Sequence, residues 1–248
     1  MKIKKDNRVG ITEAGEVAFN LDVFERLYKA NIIITKRLTD KLIDKLIEHK
    51  DKIILHLTCT GWGGTEIEPM VPTVEQTYDK FCKLIDGGFP VEQVVLRVDP
   101  IIPTTVGIEK VQSVFDLFKD SDIKRLRYSV LDMYNHVKDR FNDLSIKLPY
   151  DSFHAPMDVR IKVFNFVDGF CRERNIDLEV CGEPGFNSLS CVSQKDIDIL
   201  GLTDEIELIG SAEQRKSCGC PANKSELLRK KPQRCSNKCL YCFWKSDD

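Results

Sequence analysis

Lys52-Ile-Ile-Leu-His-Leu-Thr58 is a short, mostly apolar run between a helical pattern and a glycine-containing loop. Before it, residues 38–49 carry four apolar side chains at helical spacing, with Thr39 as a candidate N-cap. After it, three glycines fall between positions 61 and 64. Short apolar runs bounded by turn signals are typical of buried strands. The stretch therefore predicts a strand of a βα fold, preceded by an amphipathic helix.

The same alternation of apolar runs and helical patterns continues over most of the chain. Strands are predicted at 17–20, 32–35, 52–58, 94–98, 125–131, 178–181 and 206–209. Helices are predicted at 21–30, 38–49, 73–85, 108–118, 135–144, 157–173 and 193–200, and Asp99-Pro100 is expected to end the strand before it.

About seven βα repeats with short connections predict a parallel sheet, which right-handed crossovers curl toward a barrel. We therefore predict an α/β protein built as a single βα TIM-like barrel, complete or partial. The barrel domain is expected over residues 1–210. A cysteine-rich C-terminal segment, 211–248, is expected to pack on it.

The composition of the chain is that of a globular protein and gives no sign of a membrane protein. Its 248 residues are 42% hydrophobic and 31% charged, which is ordinary for a soluble globular protein. The formal net charge of -2 implies no general attraction to nucleic acid or to an anionic membrane. No apolar run approaches the roughly 18 residues of a membrane span, and the basic N-terminus lacks the apolar region of a signal peptide. We expect a cytoplasmic protein with no membrane partner.

Polar residues lie at the C-terminal ends of five predicted strands. In a βα barrel these ends share one rim, where active sites are assembled. His56 is interpreted as a hydrogen-bonding residue of this rim. Asp99 either holds Arg97 or a substrate hydroxyl, or it forms a turn with Pro100. The candidates for cofactor and substrate contacts are Thr58, Thr60, Arg97, Asp99, Ser129, Asp132 and Glu183.

Three cysteines near the C-terminus, in the pattern Cys235-x3-Cys239-x2-Cys242, form the most informative motif. Thiolates at this spacing can converge from one loop on an inorganic centre. A four-iron cluster normally takes four cysteines, so three would leave one iron open for chemistry. The alternative is a structural zinc site, which would need a fourth ligand from elsewhere.

Cys218-Gly-Cys220 is a second candidate metal-binding segment. It could ligate a second cluster, complete a zinc site with the C-terminal cysteines, or act as a redox pair. Arg215 could pair with a carboxylate through its forked guanidinium. A basic run over 224–234 could contact a phosphate backbone, or it could be a solvated linker.

The chain resembles a bacterial and phage family known as DUF1848, which is often grouped with radical S-adenosylmethionine (SAM) proteins. The resemblance covers most of the chain from about residue 32 onward. Many members open with a Ser-Arg-Arg-Thr-Asp stretch that is absent here. The motifs that carry the resemblance occur in order along the chain. They are Ile34-Thr-Lys36, Thr58-Cys-Thr-Gly-Trp62, Ile67-Glu-Pro69, Val71-Pro72, Arg97-Val-Asp-Pro-Ile101, Ser129-Val-Leu-Asp132 with Tyr134, Cys181-Gly-Glu183, Gln214-Arg-Lys-Ser-Cys218-Gly-Cys220, and the three C-terminal cysteines with Phe243-Trp244.

The resemblance implies a [4Fe-4S] cluster on Cys235, Cys239 and Cys242, with SAM bound at the open iron and Tyr241 near the cofactor. In ordinary radical SAM enzymes the cysteine loop follows the first strand, whereas here it follows the last. Because a barrel closes on itself, a loop after the last strand can reach the same rim.

We therefore expect a radical SAM-type enzyme that cleaves SAM reductively and abstracts hydrogen from an unknown substrate, either a small molecule or a nucleic acid. Its electron donor would be a protein such as a flavodoxin or ferredoxin. The expected catalytic residues are Arg97, Asp99, Asp132 and Glu183, and the expected cofactor contacts are Thr58, Thr60, Ser129, Arg215 and Tyr241. The alternative is a non-catalytic binding protein stabilised by zinc or a cluster, with nucleic acid as one candidate ligand.

Overall fold

Seven parallel strands form one sheet in the residues that the computed structural model describes, 7–212, 218–228 and 235–244. Their order across the sheet is β6-β5-β4-β3-β2-β1-β7. In chain order they are β1 (Val9–Ile11), β2 (Ala30–Thr35), β3 (Ile53–Thr58), β4 (Val94–Ile101), β5 (Arg125–Val130), β6 (Asp177–Val180) and β7 (Lys224–Glu226). The predicted α/β class with a parallel sheet is confirmed. Closure of the sheet into a barrel stays a prediction.

Helices alternate with these strands along the chain. The α-helices are α1 (Asp40–Glu48), α2 (Val74–Asp86), α3 (Thr105–Phe118), α4 (Asn135–Asp143), α5 (Met157–Glu173) and α6 (Gln194–Ile199). Short 3-10 helices occur at Val17–Phe19, Leu21–Arg26, Lys50–Lys52 and Val91–Gln93. A capping box formed by Thr73 and Gln76 begins α2: the Gln76 amide donates to Thr73 Oγ1, and the Thr73 amide donates to Gln76 Oε1.

Four helices cover one side of the sheet, which we call the helix face. Alternation along β3 sends Leu55 and Leu57 to this side. They share one buried apolar cluster with side chains of α1, α2, α3 and α5, among them Leu42, Phe81, Val114 and Val167. This cluster is the main core of the molecule.

The other side of the sheet, which we call the opposite face, is covered by chain from 191 to 212 and from 218 to 220. Ile32, Ile54 and Val95 meet Val192, Ile197 and Ile206 there in a smaller apolar cluster. Charged side chains lie among them: Arg125 and Arg127 of β5, both buried, pair with Glu179 of β6 and Asp196 of α6. The opposite face is therefore a mixed surface, unlike the helix face.

Three predicted strand assignments are wrong. Residues 17–19 form a 3-10 helix whose first turn is capped by the Glu16 carboxylate, and the first strand is β1 instead. Residues 206–209 form no strand, because the Asn223 side chain binds the backbone of 207 and 209, and the last strand is β7. Asp99-Pro100 does not end β4, which continues to Ile101 through a shift in its pairing with β5.

Within the described residues, no helix is both long and apolar enough to cross a membrane.

Candidate active site at the carboxyl ends of the strands

Lys36, Glu68 and Tyr241 form a hydrogen-bonded group at the carboxyl end of β2. Lys36 Nζ lies 2.8 Å from Glu68 Oε1 and 2.8 Å from the Tyr241 hydroxyl, which itself donates to Glu68. Thr60 Oγ1 donates to the second oxygen of Glu68 at 2.7 Å. Glu68 is 1% exposed. Tyr241 and Thr60, both predicted from the sequence, therefore meet at one buried carboxylate, whose role the sequence had left open.

Residues 235–244, which we call the cysteine loop, are held at the strand ends by further contacts. Asn237 Nδ2 donates to Glu16 Oε2 at 3.0 Å, and Glu16 also accepts from the Lys36 amide at 2.9 Å. The Leu240 amide donates to the Ile67 carbonyl at 3.0 Å. The loop is thus tied to segments that follow β1, β2 and β3.

The far end of the cysteine loop is tied to α4. Arg140 Nη1 donates to the Cys242 carbonyl at 2.7 Å, and Nη2 donates to the Trp244 carbonyl at 2.9 Å. Cys239, Leu240 and Tyr241 also join a buried cluster with Val137 and Phe141 of α4 and with Ile67 and Ile102. The loop is packed as well as hydrogen-bonded.

The three cysteines of this loop differ in exposure. Cys239 is buried, whereas Cys235 and Cys242 are half-buried, and all three are free thiols. Burial raises the pKa of Cys239 to about 12, and the Lys36 ammonium opposes that rise. The pKa of Lys36 is itself raised: its burial works against the charge, but Glu68, Cys239 and Asp99 outweigh it. A cation is thus held beside the buried thiol.

As placed, no three or more His, Cys, Asp or Glu side chains within 7–212, 218–228 and 235–244 are positioned to hold a metal ion. The donor set of the cysteine loop nevertheless fits a thiolate-ligated cluster. Cys235, Cys239 and Cys242 are close enough to one another to interact electrostatically, and cysteine thiolates are the usual ligands of iron–sulfur clusters. Each thiol moves by rotation about one side-chain bond.

Arg97, Asp99 and Ser129 form a second polar group, at the ends of β4 and β5. Arg97 Nε donates to Asp99 Oδ2 at 2.7 Å, and its Nη2 contacts the same oxygen. Ser129 Oγ donates to Asp99 Oδ1. Asp99 is therefore held by two side chains and does not serve as a simple turn residue.

Glu183 and Asp132 occupy the next positions along the strand ends. Glu183 accepts from the Val130 amide at 2.7 Å, and its other oxygen lies 3.7 Å from Arg160 Nη1. Burial, assisted by Asp132 and Asp99, raises the pKa of Glu183 to about 7, while the Val130 amide and Arg160 oppose the rise. Asp132 Oδ1 lies 2.7 Å from His154 Nδ1. Arg160 and His154 lack a strand-end position, so the sequence did not single them out.

The glycines beside Trp62 serve packing. A Cβ at Gly63 would lie 1.8 Å from the Pro72 carbonyl oxygen, and Gly61 has a φ of 85° with the Lys110 backbone 2.4 Å from its missing Cβ. Only glycine fits such contacts. They fold the β3–α2 loop tightly enough to bring Thr60 and Glu68 together.

A family model described as Domain of unknown function (DUF1848) matches residues 24–244. The chain belongs to the DUF1848 family. No curated protein sequence matches it. One solved structure, described as a histidine-tagged anSMEcpe with bound AdoMet, aligns with a TM-score of 0.40 and 14% sequence identity. The match covers 69% of this chain and 49% of that one, so the DUF1848 chain spans about half the length of that structure.

The remaining predicted residues of this DUF1848 protein lie in different places. Thr58 is buried at the end of β3, and Arg215 lies outside the described residues. His56 is not a rim residue: it is fully buried within β3, and neither of its ring nitrogens has a hydrogen-bond partner among the described residues. Burial and the nearby Arg127 hold the pKa of His56 well below its usual range.

Cys218 and Cys220 pack on the opposite face of the DUF1848 sheet. Cys220 neighbours both Cys218 and Cys191, and Cys191 contacts Cys181 with 3.7 Å between the sulfur atoms. Sequence reasoning did not connect Cys181 and Cys191 with Cys218 and Cys220. The Cys181-Gly-Glu183 motif marked Cys181 in the sequence. Residue spacing, however, does not reveal that Cys181 contacts Cys191.

Proposed function

We propose that this DUF1848 protein is a radical SAM-type enzyme whose [4Fe-4S] cluster is held by Cys235, Cys239 and Cys242. The cluster would lie at the mouth of a barrel-like sheet, over the carboxyl ends of its strands. The observation that carries the proposal is the anchoring of the cysteine loop at those ends, through Asn237 to Glu16 and through Tyr241 to Glu68.

Two features of the loop support a cofactor site there. The C-x3-C-x2-C spacing resembles the cluster motif of radical SAM proteins, and a three-cysteine set leaves one iron of a four-iron cluster without a protein ligand. When bound, such a cluster supplies the electron for reductive cleavage of SAM. A structural zinc site would instead need a fourth protein ligand.

The residues around the loop would bind and orient the cofactors. Lys36 places a positive charge beside Cys239, which would offset the negative charge of clustered thiolates. Glu68 holds Lys36, Tyr241 and Thr60 in one arrangement, so the aromatic ring at position 241 is fixed near the cysteines. Packing of Leu240 against Ile67 and α4 would exclude water from one side of the loop.

The polar groups on β4, β5 and β6 would form the substrate side of the site. Asp99, held by Arg97 and Ser129, offers oriented hydrogen-bond partners. Glu183, with its pKa near 7, could hold or release a proton at its carboxylate oxygens. Thr58 lies beneath this surface. The substrate would be a polar small molecule or part of a nucleic acid, and a flavodoxin or ferredoxin in the cytoplasm would supply electrons.

The experiment is anaerobic reconstitution with iron and sulfide, followed by incubation with SAM and dithionite. We expect about four iron atoms per chain at this site, an electron paramagnetic resonance signal from the reduced cluster that changes when SAM is added, and formation of 5′-deoxyadenosine and methionine.

Two single variants give the comparison. Cys239→Ala should lose the cluster signal and SAM cleavage, whereas Cys82→Ala, a half-buried cysteine of α2, should keep both. A reconstituted protein that holds iron but never cleaves SAM would overturn the enzymatic proposal. A colourless protein with zinc on the cysteine loop would favour a zinc-stabilised binding protein instead.

A further inference from the structure

Four cysteines that lie far apart in sequence meet on the opposite face of the sheet. The Sγ atoms of Cys181 and Cys191 are 3.7 Å apart. The Cys191 thiol also neighbours Cys220, and Cys220 neighbours Cys218, in the apolar cluster of the opposite face. The sulfur contacts therefore run in a row through all four residues, which we call the cysteine quartet. None of the four takes part in the site proposed above.

The quartet is enclosed by the fold. Cys181, Cys191 and Cys220 are 5%, 5% and 0% exposed, Cys218 is half-buried, and all four are free thiols. They lie in the apolar cluster of the opposite face with Val192 and Ile206. A free cysteine is a small apolar residue with a weak S–H donor, so burial of one cysteine is ordinary. The meeting of four thiols at one place is what points to a shared ligand.

Backbone hydrogen bonds fix three of these cysteines or their immediate neighbours. The Cys181 amide donates to the Tyr128 carbonyl of β5 at 2.9 Å, and the Cys220 carbonyl accepts from the Ala212 amide at 2.6 Å. Just before Cys191, the Leu189 amide donates to the Val180 carbonyl at 2.8 Å. Their main-chain positions are therefore set independently of the sulfur contacts.

One measured sulfur–sulfur distance bears on the kind of ligand that the quartet could take. In a tetrahedral zinc site the Zn–S distance is about 2.3 Å, which places the sulfur atoms about 3.8 Å apart. The observed 3.7 Å between Cys181 and Cys191 fits that separation. In a four-iron cluster each thiolate binds a different iron, so the thiolates stand farther apart. The Cys181–Cys191 pair is thus compatible with two thiolate ligands of a single ion, with Cys218 and Cys220 as the remaining ligands.

A buried positive charge lies beside the quartet. Arg127 Nη1 is 3.9 Å from Cys191 Sγ, and the same guanidinium donates to the Leu189 and Ser190 carbonyls at 2.9 and 2.7 Å. Arg127 therefore both fixes the segment that carries Cys191 and offsets the charge of four thiolates around a divalent ion. Such supporting contacts orient metal ligands in proteins.

We propose that Cys181, Cys191, Cys218 and Cys220 form a site for a single tetrahedral, thiolate-preferring metal ion of the zinc class. In their thiol form the four are not arranged to hold a metal. Rotation of the side chains at the two ends of the row would close it around the ion.

The position of the quartet defines what the ion does. Cys181 directly follows β6, and Cys218 and Cys220 precede β7. β6 and β7 are the two strands at opposite ends of the sheet order. A metal ion bound by all four cysteines would link the end of β6, at one edge of the sheet, to the segment that leads into β7, at the other edge. The site is therefore structural, and it does not depend on the proposed radical SAM function.

The test uses the full chain with Cys235, Cys239 and Cys242 all changed to Ser, which removes the other metal-binding loop. After expression with zinc, elemental analysis should give one zinc per chain. Adding Cys191→Ala should reduce it to below a tenth of that value. Adding Cys171→Ala, which truncates an equally buried cysteine on the helix face, should leave it unchanged.

A second measurement covers the case in which Cys191→Ala fails to fold. The triple-Ser protein is stripped with a chelator and titrated with Co²⁺, and we expect the absorption of tetrahedral cobalt–thiolate to saturate at one equivalent. No bound zinc and no cobalt–thiolate absorption would overturn the proposal. So would equal amounts of iron and sulfide in this protein, or a Cys181–Cys191 disulfide found by mass spectrometry after anaerobic purification.

Discussion

The two faces of the sheet stabilise the protein by different means, and β5 contributes side chains to both faces. Leu126, Tyr128 and Val130 enter the apolar cluster of the helix face. The alternate residues Arg125 and Arg127 enter the opposite face, where both are buried. The helix face gains stability from buried apolar area, whereas the opposite face depends on each charge finding its partner.

This difference teaches where the fold tolerates change. Apolar residues can be exchanged with losses that follow the lost volume, because no single partner is essential. On the opposite face one carboxylate, Glu179, accepts from both Arg125 and Arg127. Removing Glu179 takes a carboxylate partner from both buried guanidinium groups. Arg125 still pairs with Asp196, whereas Arg127 loses its carboxylate.

The largest expected effect is therefore at Glu179. Glu179→Ala should lower the free energy of unfolding by about 4 kcal/mol, because an uncompensated buried charge costs more than the pair contributed. Urea unfolding followed by circular dichroism measures this loss.

Two control variants separate the loss of a buried ion pair from the loss of apolar volume and from the loss of an exposed ion pair. Leu55→Ala, a truncation on the helix face, should cost about 3 kcal/mol. Lys195→Ala, which removes an exposed ion pair with Asp177, should change stability by less than about 0.5 kcal/mol. A Glu179→Ala loss no larger than that of Lys195→Ala would mean that the buried network contributes little.

His56 offers a pH-dependent test of the opposite face. Burial and Arg127 keep its pKa well below 6.5, so the folded protein excludes a proton that the unfolded chain binds. Stability from this residue is therefore present above about pH 6.5 and is lost as the pH falls, by up to about 1.4 kcal/mol per pH unit. His56→Leu should remove that part of the slope in unfolding measurements between pH 7.5 and pH 5.

The His56 result can also fail in a clear way. Other groups titrate in both proteins, so the informative quantity is the difference between the two stability curves. Curves that run parallel over this range would show that His56 takes up its proton equally in the folded and unfolded states. Leu57→Ala, on the helix face next to it, should shift the curve without changing its slope.

Among the main variants, the smallest effect is expected at the strand ends, where the Tyr241 hydroxyl joins Lys36 and Glu68 to the cysteine loop. Tyr241→Phe removes the hydroxyl that joins Lys36 and Glu68 but leaves the ring in its apolar cluster. The unfolding free energy should fall by about 1 kcal/mol, and protease cleavage in the cysteine loop should become faster. Tyr28→Phe, which loses one partly exposed contact with Ser225, is the matched control. Equal cleavage rates in the two variants would argue against anchoring by Tyr241.

Much of the fold could be predicted from residue patterns. The strand around 52–58 and six of the seven helices were correct because their periodicity depends only on local spacing. The helix predicted at 21–30 was wrong: it is a 3-10 helix that ends at Arg26, and Ala30 begins β2. The strand predicted at 206–209 was wrong because the backbone there is bound by the Asn223 side chain, a contact between distant residues. His56 was misplaced for a related reason. The position of a residue in a strand does not reveal whether another segment of the chain covers its side of the sheet.

For the candidate site, the sequence by itself determined the chemical groups: three cysteines at a cluster spacing, an aromatic residue among them, and carboxylates near the strand ends. Only the tertiary structure decided which of them meet. It brings Tyr241 to Glu68 and Lys36, and it brings Cys181 and Cys191 to Cys218 and Cys220. Spacing along the chain sets local geometry, whereas contacts between distant segments depend on how the strands order themselves and how chain covers each face of the sheet.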